Sequence, residues 1–159
     1  MGKQFQTVMQ MVAVISMALI LGACGEDLGV DQHGRKVAVA GPEGQWLVIN
    51  YWAQWCAPCR SEIPELNGLE QRFEDGSVRV LGVNFDGLQG EKLSQAVEEM
   101  GIRFTVLAQD PAARFGLPVT EVLPVTYLID DQGRMRERLL GEQTAEALIA
   151  RISALRKEG

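Results

Sequence analysis

The chain has 159 residues, 47% of them apolar, with three cysteines and a formal net charge of −6 at pH 7. That length suits one domain, and that apolar content excludes a chain disordered throughout. An acidic body without a long basic run is repelled by phosphate, which argues against nucleic-acid binding.

The first segment reads as an address rather than as part of a fold. Lys3 gives a small positive start, and residues 11–23 are apolar apart from Ser16. As a helix this run rises about 20 Å, short of a bilayer core of roughly 30 Å, so it suits the apolar region of a secretory signal. It ends in Leu21-Gly22-Ala23-Cys24, which resembles the lipobox of bacterial lipoproteins. That resemblance implies cleavage before Cys24, acyl chains on Cys24 and stable anchoring in the bacterial cell envelope, facing the periplasm or the outside. The expected division is a signal peptide over 1–23, a flexible tether over 24–29 and one domain over 30–159. An uncleaved anchor, or an ordinary signal peptide with a chance cysteine, is the competing reading. With Cys24 lipidated, the odd cysteine count of an exported chain resolves into one pair, Cys56 and Cys59.

Residues 28–30 and 36–39 flank the turn Asp31-Gln32-His33-Gly34 and predict a leading hairpin. Residues 41–44 mark another turn. The run 46–51 (WLVINY) is apolar on both faces, as a central covered strand requires. A helix follows over 57–73, with Ile63, Leu66, Leu69 and Phe73 at helical spacing and Pro64 as a kink. Then come a strand over 78–85, a helix over 91–100 capped by Gly101, a short strand over 104–107 and a helical turn over 110–115. Strands over 125–129 and 136–140 join across Asp131-Gln132-Gly133, and an amphipathic helix over 144–156 closes the chain. This order implies an α/β fold: a mixed sheet with helices on both faces, extended by the hairpin.

The strand WLVINY runs into Trp52-Ala53-Gln54-Trp55-Cys56-Ala57-Pro58-Cys59. Cys56 therefore sits at a helix N-terminus, where free backbone N–H groups and the helix dipole favour a thiolate, the species that attacks disulfides. Cys59, one turn on, is placed to attack the resulting mixed disulfide and release the partner. Ala57 and Pro58 lie between the sulfurs and tune the reduction potential. Two other readings of CxxC stand beside this one: half of a zinc site, for which only His33 and carboxylates remain as further ligands, and a purely structural disulfide.

The stretch VINYWAQWCAPCRSEIPEL, with Pro124 in LPVTYLID, resembles the thioredoxin superfamily, and within it the membrane-tethered TlpA/ResA-like thiol reductases. The likeness runs from about Gly29 to the end. It implies a thioredoxin-like fold with a cis peptide bond before Pro124, facing the cysteine pair, and Leu123 offering its backbone to an incoming peptide. An ordinary trans proline, or Pro118 in that place, is the alternative. Glu62 matches a glutamate that ResA-like proteins use near their cysteines; there a desolvated carboxyl exchanges protons with Cys59, whereas the bland reading is a solvated surface glutamate. Asn50 stands where cytoplasmic thioredoxins carry a buried aspartate, so proton handling has to come from elsewhere. Trp55 is expected as a docking surface beside the nucleophile, Trp52 as core, and Arg60 as either a local positive field or a solvated helix residue. His33, Asp86-Gly87 and Asp130-Asp131 read as surface and turn chemistry.

The implied function is reduction of disulfides in exported proteins, with a membrane electron donor of the CcdA/DsbD type and no metal or added cofactor, the cysteine pair carrying the electrons. The alternatives are a disulfide oxidase, a copper-delivery or docking module using the two thiolates, and a peroxidase on a related fold. The segment between Phe85 and Pro124 is too short for the helical insertion of DsbA-type oxidases. The peroxidases carry a threonine two or three residues before the attacking cysteine, preceded by a proline, whereas here Gln54 and Trp55 stand before Cys56. Pro124-Val125-Thr126-Tyr127 also departs from the Pro-Glu-Thr-Phe segment of cytochrome-maturation members.

Overall fold

A computed structural model describes residues 27–38 and 45–158. The signal segment, Cys24 and the turn at 41–44 lie outside the described residues. The chain enters as a hairpin, β1 (Asp27–Val30) and β2 (Lys36–Ala38), paired antiparallel. The strand expected over 28–30 is present one residue longer, so residues 27–29, which the expected division gives to the tether, belong to β1. Leu28 is buried in the core, and the N–H of Val30 is fixed by Gln109 Oε1 at 2.9 Å, so this stretch has partners that a tether lacks.

Five strands form the main sheet, in the order β5-β4-β3-β6-β7. β3 (Trp46–Trp52) is central and buried at all seven positions, which is why its sequence shows no polar alternation. β4 (Val78–Asn84) and β5 (Thr105–Leu107) run parallel to it; β6 (Val125–Ile129) is antiparallel to β3, and β7 (Met135–Leu140) is antiparallel to β6. The helices are α1 (Ala57–Arg72), α2 (Gly90–Met100), α3 (Ala112–Phe115) and α4 (Ala145–Lys157). α1 continues through Pro64, and α2 ends on Gly101 in the left-handed region at φ 69°.

Helices lie on both faces, but unevenly. Val48, Trp52, Val80 and Leu128 pack with Ile63, Leu66 and Leu69 of α1, Leu93 and Val97 of α2, and Leu148 and Ile152 of α4. Each fully buried Leu or Ile here contributes about 1.5–3 kcal/mol. The opposite face, with Leu47, Ile49, Leu81, Tyr127 and Ile129, is covered by Leu28 and Val37 of the hairpin and by Phe115 and Leu117. Gly82 marks the tightest point of the helical face. A Cβ there would stand 2.9 Å from Val106 Cγ2 and 3.1 Å from Trp52 Nε1, so the buried Trp52 ring needs glycine beside it.

Both hairpin turns close in the same way. Asp31 Oδ1 accepts the N–H groups of His33 and Arg35, and its Oδ2 accepts Arg35 Nε at 2.8 Å. Asp130 does the same with Gln132 and Arg134, again with Nε at 2.8 Å. Burial works against charge on both carboxyls, but the backbone and guanidinium hydrogen bonds outweigh it and hold both below the usual range.

Candidate active site

β3 ends at the carboxyl edge of the sheet, and the chain turns there into α1 with Cys56 as the N-cap residue. Cys56 Sγ accepts the backbone N–H of Cys59 at 3.2 Å, so the sulfur itself fills the role that Ser or Asp plays at other helix starts. Pro58 falls in the first turn, where its missing N–H costs nothing, and no acidic residue sits in that turn to oppose a thiolate. Cys56 and Cys59 are joined as a disulfide, with Cα atoms 5.3 Å apart. Cys59 is wholly buried, whereas Cys56 retains a small exposed edge. The sulfur nearest solvent is thus the one that the helix N-terminus favours as an anion.

Glu62 lies one helical turn beyond Cys59 and is only 1% exposed, so the solvated-surface reading of this residue fails. Its Oε1 accepts Asn50 Nδ2 at 2.7 Å and its Oε2 accepts the backbone N–H of Gln143 at 3.1 Å. Burial dominates over these two donors, and with a smaller push from Glu142 it raises the carboxyl to about 7. A buried acid poised near neutrality, a turn away from a thiol, can take or return a proton during exchange.

Asn50 is fully buried in β3 and faces Thr126 of β6 in register. Its Nδ2 also donates to Thr126 Oγ1 at 3.0 Å. The neighbouring Glu65 accepts the N–H of Ala145 at 3.0 Å, so two carboxylates of α1 reach the start of α4. Thr126 and Gln143 were not singled out from the sequence. Thr126 sits inside the quoted strand motif, yet only the β3–β6 register puts it beside Asn50.

The rim holds the predicted docking residues. Trp55 is 65% exposed, and its indole N–H donates to the Asp86 carboxylate at 3.1 Å while its ring meets Phe85 edge-on at 6.1 Å. Arg60 is taken up by the Gln54 carbonyl at 2.7 Å, and Gln54 in turn by Glu99, so the Gln54-Trp55 loop is pinned from α1 and α2. The Leu123–Pro124 bond is cis, as the resemblance implied, and Pro118 is not the cis residue. Pro124 is buried with its carbonyl on the Gly141 N–H at 2.9 Å, while Leu123 is half-buried between the two core clusters. Val119 and Val122 stand exposed just before it. A cavity of about 210 Å³ opens beside Phe85, between Tyr51, Asp110 and Leu117. Tyr51 donates to Asp110 at 2.5 Å there; burial, and then that carboxylate, push the phenol above its usual range, so it stays protonated. His33 is exposed in its turn, Trp52 is core, and Ala57 and Pro58 occupy the first turn of α1 as expected.

Residues 22–138 match the AhpC/TSA family. The chain is 29% identical over 118 residues to the thiol-disulfide oxidoreductase ResA of Bacillus thuringiensis, covering 74% of this chain and 68% of that one. It is 35% identical over 114 residues to the thiol:disulfide interchange protein HelX of Rhodobacter capsulatus, covering 71% of this chain and 62% of that one. Among solved structures it is similar to a DsbF homologue from Corynebacterium diphtheriae, with a TM-score of 0.67 and 30% identity over 79% of this chain and 82% of that one.

Proposed function

The chain belongs to the AhpC/TSA family of the thioredoxin superfamily, has the thioredoxin-like fold and is a thiol–disulfide oxidoreductase, and from that premise we propose that it reduces disulfides of exported proteins outside the cytoplasm. The observation that carries this reading is the join of Cys56 at the N-terminus of α1 with the buried, near-neutral Glu62 a turn beyond Cys59.

In the reductive cycle the Cys56 thiolate attacks one sulfur of a client disulfide. A mixed disulfide forms, and the client's other sulfur leaves as a thiolate and takes a proton from water. Glu62 then accepts the proton of the Cys59 thiol, and the Cys59 thiolate attacks Cys56 Sγ. The client's second sulfur departs as a thiolate and takes up a proton in its turn. Two electrons pass from the enzyme pair to the client, one proton comes from water and the other from Cys59 by way of Glu62, and the Cys56–Cys59 disulfide remains. Asn50 and the Gln143 N–H hold Glu62 in place; Trp55 and the backbone of Leu123 receive the client; Pro124 shapes that edge; Ala57 and Pro58 set the potential. The pair carries the electrons without an added cofactor.

A membrane donor of the CcdA/DsbD type recharges the pair, and acyl chains on Cys24 keep the domain beside that donor, with residues 1–23 removed as a signal peptide. Supporting the direction of electron flow, residues 85–124 hold only α2, β5 and the four-residue α3, with no inserted helical domain. The deciding experiment is equilibration of the full chain with glutathione or dithiothreitol. A potential at or below about −230 mV supports the reductase, and one near about −120 mV makes the protein a disulfide donor instead.

A further inference from the structure

Asn50 carries an unused acceptor. Both hydrogens of its Nδ2 are engaged, one by Glu62 Oε1 at 2.7 Å and one by Thr126 Oγ1 at 3.0 Å. Its Oδ1 is buried and meets no donor among the described residues. Unmatched buried polar atoms are rare because each forfeits the hydrogen bond it had in water. The partners supply a reason for this one. An ionised Glu62 is acceptor-only, whereas a protonated Glu62 is a donor looking for an oxygen, and the Thr126 hydroxyl can play either part. A half-turn of the amide about its last bond exchanges Oδ1 and Nδ2. It would then set Oδ1 against two donors, the Glu62 hydroxyl and the Thr126 hydroxyl. The flip trades one unmatched acceptor for two unmatched N–H hydrogens, so it is favoured only when the protonated Glu62 and the Thr126 hydroxyl both donate to Oδ1.

We propose that Asn50 is a reversible amide adaptor for Glu62, donating to its carboxylate and, after a flip, accepting from its protonated form together with Thr126. Asn50 and Thr126 are positioning residues that act through Glu62. When Cys59 gives its proton to Glu62 the amide turns; when Glu62 releases that proton the amide returns, and no electron moves in either step. An aspartate at position 50 would add a second buried negative charge, and an aliphatic residue would serve neither state. Glu62 is flanked on α1 by Cys59 a turn before and Glu65 a turn after, and is met by Asn50 from β3 and by Glu142 and the Gln143 N–H from the segment ahead of α4. No Lys or Arg among the described residues pairs with it. The amide and the Gln143 N–H are therefore the groups that answer its charge.

The functional weight of this device rests on the proposed role of Glu62 as proton partner of Cys59. The test is infrared difference spectroscopy of the full chain, labelled with ¹³C at the asparagine side-chain carbonyl and titrated from pH 5 to 9. The adaptor requires the Asn50 carbonyl band to move to lower frequency as the Glu62 carboxyl band grows in, with one shared midpoint, and to stay fixed in Glu62→Gln. A carboxyl that titrates near neutrality while the amide band stays fixed overturns the adaptor and leaves the Glu62 reading standing. A carboxyl band that does not titrate in this range overturns both. As a second measurement, Asn50→Leu should raise the midpoint of the thiol-exchange pH profile by about one unit, a tenfold change in proton affinity, because the bond lost to the carboxylate is charge-assisted and stronger than the one lost to the neutral acid. An unmoved midpoint in the folded variant would reduce Asn50 to packing and sink the proposal.

Discussion

Glu62 Oε2 accepts the backbone N–H of Gln143 at 3.1 Å, so a carboxyl on the redox helix also holds the first turn ahead of the last helix. Proton state at the active site and the docking of α4 are thereby tied to one side chain. Glu62→Gln keeps the shape and removes the titration. We expect the resolving step to slow by about 10²–10⁴-fold, the usual weight of a positioned acid or base, with loss of the pH-profile limb centred near 7. Stopped-flow kinetics across pH 5 to 9 checks this, and an unchanged profile would remove Glu62 from the mechanism.

The same residue makes a stability prediction of opposite sense. Its carboxyl is raised from 4.5 to about 7 on folding, so the native state holds the proton more tightly than the unfolded chain. Its contribution is fully present below about pH 4.5 and is lost as pH rises through 7, at a cost of roughly 3 kcal/mol by 1.36 kcal/mol per unit. Glu62→Gln should therefore be more stable than the parent at pH 8 and lose that advantage near pH 4.5. Urea unfolding at the two pH values reads the difference directly.

Cys59→Ser should accumulate mixed disulfides with clients, because Cys56 can still attack and nothing resolves the adduct. Cys56→Ser should give none. Non-reducing gels and mass spectrometry of trapped adducts distinguish the two, and adducts through Cys59 in the second variant would reverse the assigned roles.

Trp55→Ala removes the exposed ring that Asp86 and Phe85 hold in place. A raised KM for a folded disulfide protein is expected, with little change for a small aromatic disulfide and stability within about 0.5 kcal/mol of the parent. Equal losses on both substrates would show that the ring serves the sulfurs rather than the client.

Gly82→Ala places a methyl 2.9 Å from Val106 Cγ2 and 3.0 Å from Phe104. Overpacking of this kind costs about 1–3 kcal/mol, so the urea midpoint should fall with the slope unchanged. A neutral result would mean that the Trp52 pocket yields more easily than its burial suggests.

Much of the fold and of the site is legible in the sequence. The apolar run 46–51 and the Cys56-Ala57-Pro58-Cys59 turn each fix a local conformation with few alternatives and stand where their chemistry places them, whereas the cis bond before Pro124 comes from the family resemblance and not from the local sequence. Glu62 is named by its place one turn from Cys59 and by the family resemblance; the partners that meet it, Asn50 of β3 and the Gln143 N–H ahead of α4, are distant in sequence, and no local pattern encodes them. Thr126 depended on the register of two strands far apart in sequence. The strand expected at 28–30 starts one residue earlier, and it is the tether drawn through 29 that does not hold: Asp27 and Gly29 look like linker, while Leu28 between them finds a core made by distant strands. The paired turns at Asp31 and Asp130 did have a signal, aspartate followed four residues later by arginine with glycine between, but it speaks of turn closure and not of function.

The uneven layering has a mechanical consequence. Because the hairpin, and not a long helix, shields Leu47, Ile49 and Leu81, any pull on the chain ahead of Asp27 loads that shield first, where it is held by Val30, Gln32 and Ser94 to the β5 edge and α2. The cysteines sit on the other side of the sheet, among the long helices. Tension arriving from the N-terminus would peel the shielding ribbon before it reached β3 and, at the end of that strand, the sulfurs.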